Sequence, residues 1–284
     1  AHTEGWSKGW RQGNHQWPKG SIGWELIQRQ SRELSSLPDA TEIWCPPAVY
    51  AMGKRTSSVQ VQLQRGFWAL STPVTQEQWS TLLEVNPSQY KGDESRPVEN
   101  VSWFDSCAFC NALSRAEGLE EVYELTHETS SPGQGLERVG SYRAEVVWRD
   151  PEANGYRLPS VFEWEWAGRA GSLDENYGNL DRIAWWAGIS QHSRTHSVAS
   201  QLPNAFGLFD IAGNVYEWNW SHVSLTLLKG EDILVPTHQT TPETHVYRGG
   251  NFACPAEQCH VTYRSISEPQ ARYTGVGFRV FRNG

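Results

Sequence analysis

No apolar run in the 284-residue chain approaches the roughly 18 residues that a helix needs to cross a bilayer, so a membrane-spanning helix is not expected. A basic patch is also missing. The 24 Lys plus Arg are scattered and outnumbered by 32 Asp plus Glu, and a net charge of -8 argues against a nucleic-acid partner. The first residues, Ala1-His2-Thr3-Glu4, lack the charged-then-apolar pattern of a signal peptide. The expected compartment is the bacterial cytoplasm, or the cell surface or exterior if a signal preceding Ala1 has been removed. Cysteine is scarce and odd in number; five in a chain of this length do not make the disulfide framework of a small secreted domain. Internal repeats are absent, and so is a zinc-protease motif. His192 and His196 have helical spacing, but no Glu follows His192, and Ser193-Arg194-Thr195 reads as a polar surface loop.

Aromatic residues are abundant. Fifteen Trp, ten Tyr and nine Phe predict a large core that is aromatic rather than aliphatic, in one elaborate domain that is expected to be a monomer. Residues 1–44 are polar, with Trp6, Trp10, Trp17 and Trp24 at irregular intervals and no helical or strand period. They are expected to form an extension whose tryptophans pack on the main body, residues 45–284. Ser58-Val59-Gln60-Val61-Gln62-Leu63 alternates with period two, as a half-buried strand should. Tyr142 to Trp148 and Gly277 to Phe281 also read as strands, and 126–140 and 223–244 as loops.

Three helix starts carry a hydroxyl residue followed three positions later by an acid or amide: Thr75 with Gln78, Ser102 with Asp105, and Ser160 with Glu163. Each is a capping box or a close relative of one. Gly118 and Gly171 mark the expected ends of the second and third helices. Short strands, few helices and many loops make the fold class α+β, with small sheets.

Specific motifs follow in order along this frame. They include Tyr50-Ala51-Met52-Gly53, Pro73-Val74-Thr75-Gln76-Glu77-Gln78-Trp79, Arg96-Pro97-Val98 and Gly155-Tyr156-Arg157-Leu158-Pro159-Ser160. Asn204-Ala205-Phe206-Gly207-Leu208-Phe209-Asp210, Gly213-Asn214-Val215-Tyr216-Glu217-Trp218, Arg248-Gly249-Gly250 and Gly277-Phe278-Arg279 complete the series. In this order, from about Ala48 to Arg282, the chain resembles the formylglycine-generating enzyme, or sulfatase-modifying factor, family. The resemblance implies a variant of the C-type lectin fold with small antiparallel sheets, few helices and extra loops. The family includes copper-dependent oxidases that convert a cysteine of a target protein to formylglycine, ergothioneine sulfoxide synthases, pyoverdine-maturation proteins and the ligand-binding variable proteins of diversity-generating retroelements. Fold alone does not choose among them.

In the copper-dependent members two cysteines follow the Gly-Gly motif at the spacing of Cys254 and Cys259. Copper(I) is soft and can be held almost linearly by two thiolates while a substrate thiol approaches. On this reading Cys254 and Cys259 are catalytic copper ligands, and oxygen is the oxidant. Tyr216, Asn251, Phe252, Ala253, Pro255, Gln258, Tyr263 and Arg264 contact a protein or peptide substrate. Asn251 stands where those enzymes usually have Ser, and Tyr216 where they usually have Trp.

The tail from Asn251 to Gly275 also resembles the variable region of a retroelement protein. Cys259, Arg264, Glu268-Pro269 and Arg272 are then scaffold, and Ala253, Cys254, Pro255, Gln258, Tyr263, Ser265, Ser267, Tyr273 and Thr274 are ligand contacts. Separately, Asp210, Gly213, Asn214, Val215 and Glu217 resemble a structural calcium-binding turn of the family. Cys107-Ala108-Phe109-Cys110 has redox spacing, but no strand ends just before it, and the pair reads as buried core. The three-histidine iron site of the sulfoxide synthases has no counterpart.

Overall fold

The computed structural model describes residues 31–126, 145–148, 150, 152–190, 193–222 and 244–284. The first strands are β1 (Ser31–Glu33) and β2 (Thr41–Cys45), followed by a hairpin of β3 (Ala48–Met52) and β4 (Val59–Leu63), and then β5 (Phe67–Leu70). Helices α1 (Gln76–Leu82) and α2 (Trp103–Ala116) come next, then β6 (Tyr123–Thr126) paired with β7 (Glu145–Trp148). After β8 (Tyr156–Arg157) come α3 (Val161–Arg169), α4 (Leu180–Ile183), β9 (Ala184–Trp185) and β10 (Ala212–Gly213). The chain closes with β11 (Tyr216–His222), β12 (His245–Arg248), β13 (Arg264–Ser267), β14 (Val276–Gly277) and β15 (Phe281–Asn283).

Two sheets organise these elements. An antiparallel sheet of order β1-β2-β5-β15-β8 joins the two ends of the described chain, and a second, of order β13-β12-β11-β14, carries the tail. The boundary expected after residue 44 is therefore misplaced. Ile43 pairs with Ala69 and Trp44 with Trp68, so residues 31–44 belong to the domain's own sheet. No strand period marks them because β2 is buried in the pattern of a strand covered on both sides, with Glu42, Ile43 and Cys45 all inside. Trp6, Trp10, Trp17 and Trp24 lie outside the described residues, as do nearly all of the loops expected over 126–140 and 223–244.

All three capping boxes form, with the hydroxyl accepting from the third helical N–H and the third side chain returning to the cap. Helices α2 and α3 end just before Gly118 and Gly171, both with positive φ. Ser160 is the most connected cap, since Glu163 also takes Arg157 in a buried ion pair at 2.5 Å. Ser160→Ala should lower unfolding free energy by about 1 to 2 kcal/mol in a denaturant titration.

The strand expected from Gly277 to Phe281 is split. Val276–Gly277 runs parallel to β11, whereas Phe281–Asn283 joins the other sheet. Arg279 sits in the crossover and donates to the carbonyl oxygens of Leu70 and Phe209 and to Glu217, which bonds one sheet to the other through a side chain. The core is aromatic as expected. Trp79, Trp103, Trp164 and Trp218 are fully buried, together with the guanidinium groups of Arg248 and Arg279.

Candidate functional site

The tail is shaped by Gly249 and Gly250 at the end of β12, both with positive φ. A Cβ on Gly250 would lie 2.5 Å from the Cys259 sulfur and 2.8 Å from the Gln258 carbonyl, so only glycine lets the returning chain pass. After Phe252, whose N–H donates to the Asn214 carbonyl, a short 3₁₀ turn over Ala256–Gln258 brings Cys259 back beneath Gly250.

All five cysteines are reduced and buried. The Cys254 thiol donates to the Tyr216 hydroxyl at 3.3 Å, and that hydroxyl donates to Oε1 of Gln258 at 3.1 Å. Cys259 lies deeper, with its sulfur 3.8 Å from the Asn251 carbonyl. Burial, reinforced by the neighbouring Cys254, pushes the Cys259 thiol up to about 12. Burial also raises the Tyr216 hydroxyl, helped by its bond to Cys254. Cys107 and Cys110 are fully buried in α2, and desolvation raises both thiols, which makes them poor nucleophiles.

Tyrosines surround the Cys254 thiol. The Tyr216 ring meets Tyr247 edge-on at 4.9 Å and lies 6.5 Å from Tyr263, while Tyr247 stands edge-on to the buried Trp218 at 5.1 Å. On neighbouring β13, Ser265 bonds the Tyr247 hydroxyl, and Ser267 bonds that of Tyr273 at 3.0 Å. Tyr273 is 46% exposed. Ala253, Pro255, Arg264 and Thr274 are exposed, and Gln258, Tyr263, Ser265 and Ser267 are half-buried. Tyr216 is itself buried, so the surface shows the half-buried rings of Tyr247 and Tyr263, exposed Tyr273 and the serine hydroxyls of β13. Tyr247 escaped the sequence reading because it precedes the Gly-Gly motif; only the pairing of Tyr247 with Ser265 in the β12–β13 register brings it to the tail.

Two expected contacts have other roles. Asn251 accepts from the Ala253 N–H at 2.9 Å and donates to the Gly275 carbonyl, joining the two arms of the tail. Phe252 is buried and supports Tyr90, whose ring meets it edge-on at 5.4 Å. Tyr90 lies in the α1–α2 connection, far from the tail in sequence, which is why it was not foreseen.

The five residues of the expected calcium turn come together, but their carboxylates are already engaged by protein groups, which does not suit them to the ion. Both carboxylate oxygens of Glu217 are taken by Arg279, and one also accepts the Trp164 indole N–H at 2.6 Å. Asp210, buried with its pKa raised to about 6 by desolvation, accepts from Ala199 N–H and from Asn214. The Asn214 carbonyl is bonded to Phe252, Gly213 donates its N–H to the Gly249 carbonyl, and Val215 is packed in the core. A guanidinium on Glu217 supplies the positive charge that calcium would have brought. His196 stacks on Trp185 at 3.8 Å and bonds Ser190, and His192 lies outside the described residues.

Comparison with known proteins agrees with this geometry. The chaperone protein LppX of Paenibacillus barcinonensis is 31% identical over 74% of this chain and 78% of its own length. A formylglycine-generating enzyme of Streptomyces coelicolor is 32% identical, over 47% of this chain and half of that enzyme. Among solved structures, Treponema denticola variable protein 1 superposes with a TM-score of 0.77 at 29% identity, covering 89% of this chain and 99% of that one. PvdO from Pseudomonas aeruginosa, at 20% identity and a TM-score of 0.63, covers 86% and 94% respectively and shares the fold. A family model, the sulfatase-modifying factor enzyme 1-like domain, matches residues 28–284, and with it the chain belongs to the family that its motifs indicated.

Proposed function

We propose that this chain is a ligand-binding member of the family and that its tyrosine band grips a protein or peptide partner. The observation that carries this reading is the pair of half-buried rings, Tyr247 and Tyr263, backed by the buried Tyr216 and bordered by Tyr273 and two serines. Tyrosine gives a large amphipathic contact area at low conformational cost, and serine adds adaptable hydrogen bonding, the chemistry of a paratope.

Burial divides the tail partly in the same sense. Of the scaffold positions, Cys259 and Pro269 are buried and Arg272 is held by Asp105 at 2.7 Å, whereas Arg264 and Glu268 are exposed. Apart from Cys254, the positions assigned to ligand contact are exposed or half-buried. The superposition on a variable protein over nearly that protein's whole length supports the reading further. Panning a displayed peptide library against the reduced protein tests it. Enriched binders should lose at least about 30-fold in affinity on Tyr247→Ala, a hot-spot loss of about 2 kcal/mol. Binders indifferent to both Tyr247→Ala and Tyr263→Ala would overturn the assignment.

One observation favours a second reading, in which the same groove serves a copper(I) oxidase acting on a protein cysteine. Cys254 and Cys259 are free thiols flanking the short 256–258 turn, a donor pair whose chemistry suits a soft monovalent ion. Bound there, copper(I) would supply oxygen activation, with the two cysteines as ligands. Against this, the Tyr216 hydroxyl occupies the thiol's polar contact. Titration with copper(I) against a thiol competitor separates the two. One tightly held equivalent, lost in Cys254→Ala, would establish a copper(I) site and favour the oxidase reading; no binding would leave the groove to ligand recognition alone.

A further inference from the structure

Five glutamates are buried among the described residues, and four are paired with arginine: Glu42 with Arg32 and Arg282, Glu163 with Arg157, Glu165 with Arg169 and Arg248, and Glu217 with Arg279. Glu99, with no exposed surface, differs from the rest. Its carboxyl accepts the backbone N–H of Tyr90 at 2.8 Å and that of Gln89, and its own N–H donates to the Ser88 hydroxyl. The second oxygen, Oε2, is buried without a hydrogen-bond partner. Both amides belong to the segment that carries Tyr90, whose ring rests on Phe252 and whose hydroxyl donates to the Ser193 carbonyl.

The surrounding charges are mostly engaged elsewhere. Asp93 is held by Arg96, Ser95 and Ser197, and Arg272 by Asp105. His196, on the segment that Tyr90 reaches, bonds Ser190. Exposed Lys91 is the cation that acts on Glu99, and its effect is smaller than that of burial.

We propose that Glu99 is a latch for one wall of the ligand surface: in its neutral form it holds the segment over 86–92 closed, with Tyr90 against Phe252, and its ionisation releases that segment. An isolated carboxylate is costly to bury, whereas water solvates it once the segment lifts. Burial raises the closed-state pKa to about 7. An open segment carries an ordinary carboxyl near 4.3. The closed form therefore binds a proton that the open form has lost between these two values. Opening then increases up to about tenfold per pH unit as pH rises through this interval, and levels off above about 7. The latch is a property of the fold; its effect on a partner rests on the proposed binding role.

Hydrogen–deuterium exchange of the 86–92 amides over pH 5 to 8, corrected for intrinsic exchange rates, tests the latch without any ligand. Wild type should show opening that rises on the order of a hundredfold and flattens near neutrality. Glu99→Gln keeps the acceptor oxygen and should show no such rise. A flat wild-type profile, or a rise that persists in Glu99→Gln and so belongs to another group such as His196, overturns the latch. If Glu99→Gln does not fold, a carboxyl-carbon NMR titration of wild type serves instead: a midpoint near 7 supports the proposal, and one near 4.5 overturns it. Failure here leaves the tyrosine surface standing, because Tyr247 is read in a separate experiment.

Discussion

Glu217→Ala should cost about 3 to 5 kcal/mol, enough to lower the thermal midpoint on the order of 10 °C and to bring a domain of ordinary stability close to unfolding. The loss comes less from the attraction removed than from the charge left behind. Arg279 has no exposed side-chain surface, and its guanidinium faces Glu217 at 2.7 Å together with the carbonyls of Leu70 and Phe209. Carbonyl dipoles solvate a cation only in part. Glu217→Gln, similar in shape but uncharged, should therefore lose nearly as much as the alanine variant. Replacing both members by apolar residues, as in Glu217→Leu with Arg279→Met, should recover a large part of the loss. Calorimetry of the four proteins checks the pattern, and a calcium chelator supplies the control. If the midpoint of wild type fell on chelation as far as it falls in Glu217→Ala, the ion-pair assignment would be wrong and the calcium turn would return.

The same ion pairs explain why the motifs identified the family before any chemistry was visible. Arg248 pairs with Glu165, and Arg279 with Glu217, so the Arg-Gly-Gly and Gly-Phe-Arg motifs near the C-terminus are complements of Glu165 and Glu217 upstream. Trp164 lies between the two pairs, stacked under the Arg248 guanidinium and bonded to Glu217. Helix starts were legible for a local reason, because each cap and its partner are three residues apart.

What the sequence withheld depends on long-range pairing. Strand β2 shows no alternation because both of its faces are covered. Tyr90 reaches the site by crossing from the α1–α2 connection to Phe252, and Tyr247 by register with Ser265. Asn251 looked like a groove residue from its place after Gly-Gly. Its side chain also bridges Ala253 and Gly275, a role that only the path of the returning chain reveals.

That returning path makes Gly250→Ala the second variant with a large expected effect, and it separates two causes that glycine substitutions usually mix. Gly250 has φ of 76°, and a methyl there would sit 2.5 Å from the Cys259 sulfur and 2.8 Å from the Gln258 carbonyl. Left-handed strain contributes about 1 kcal/mol or more, and overpacking against a backbone atom about 1 to 3 more. Gly118, at the end of α2, is the control, since its φ of 68° carries the strain while nothing lies within 4 Å of an added Cβ. Gly118→Ala should therefore lose only the smaller amount, and Gly250→Ala about 2 to 4 kcal/mol in all. The excess has to be relieved by moving the 256–259 turn, which carries both Cys259 and the Gln258 amide that holds the Tyr216 hydroxyl. Gly250→Ala should accordingly weaken peptide binding at the tyrosine band even at temperatures where it is folded, whereas Gly118→Ala should leave binding unchanged. Equal destabilisation by the two substitutions would show that the turn beneath Gly250 yields freely, and that the thiol pair is not held in place by the glycine above it.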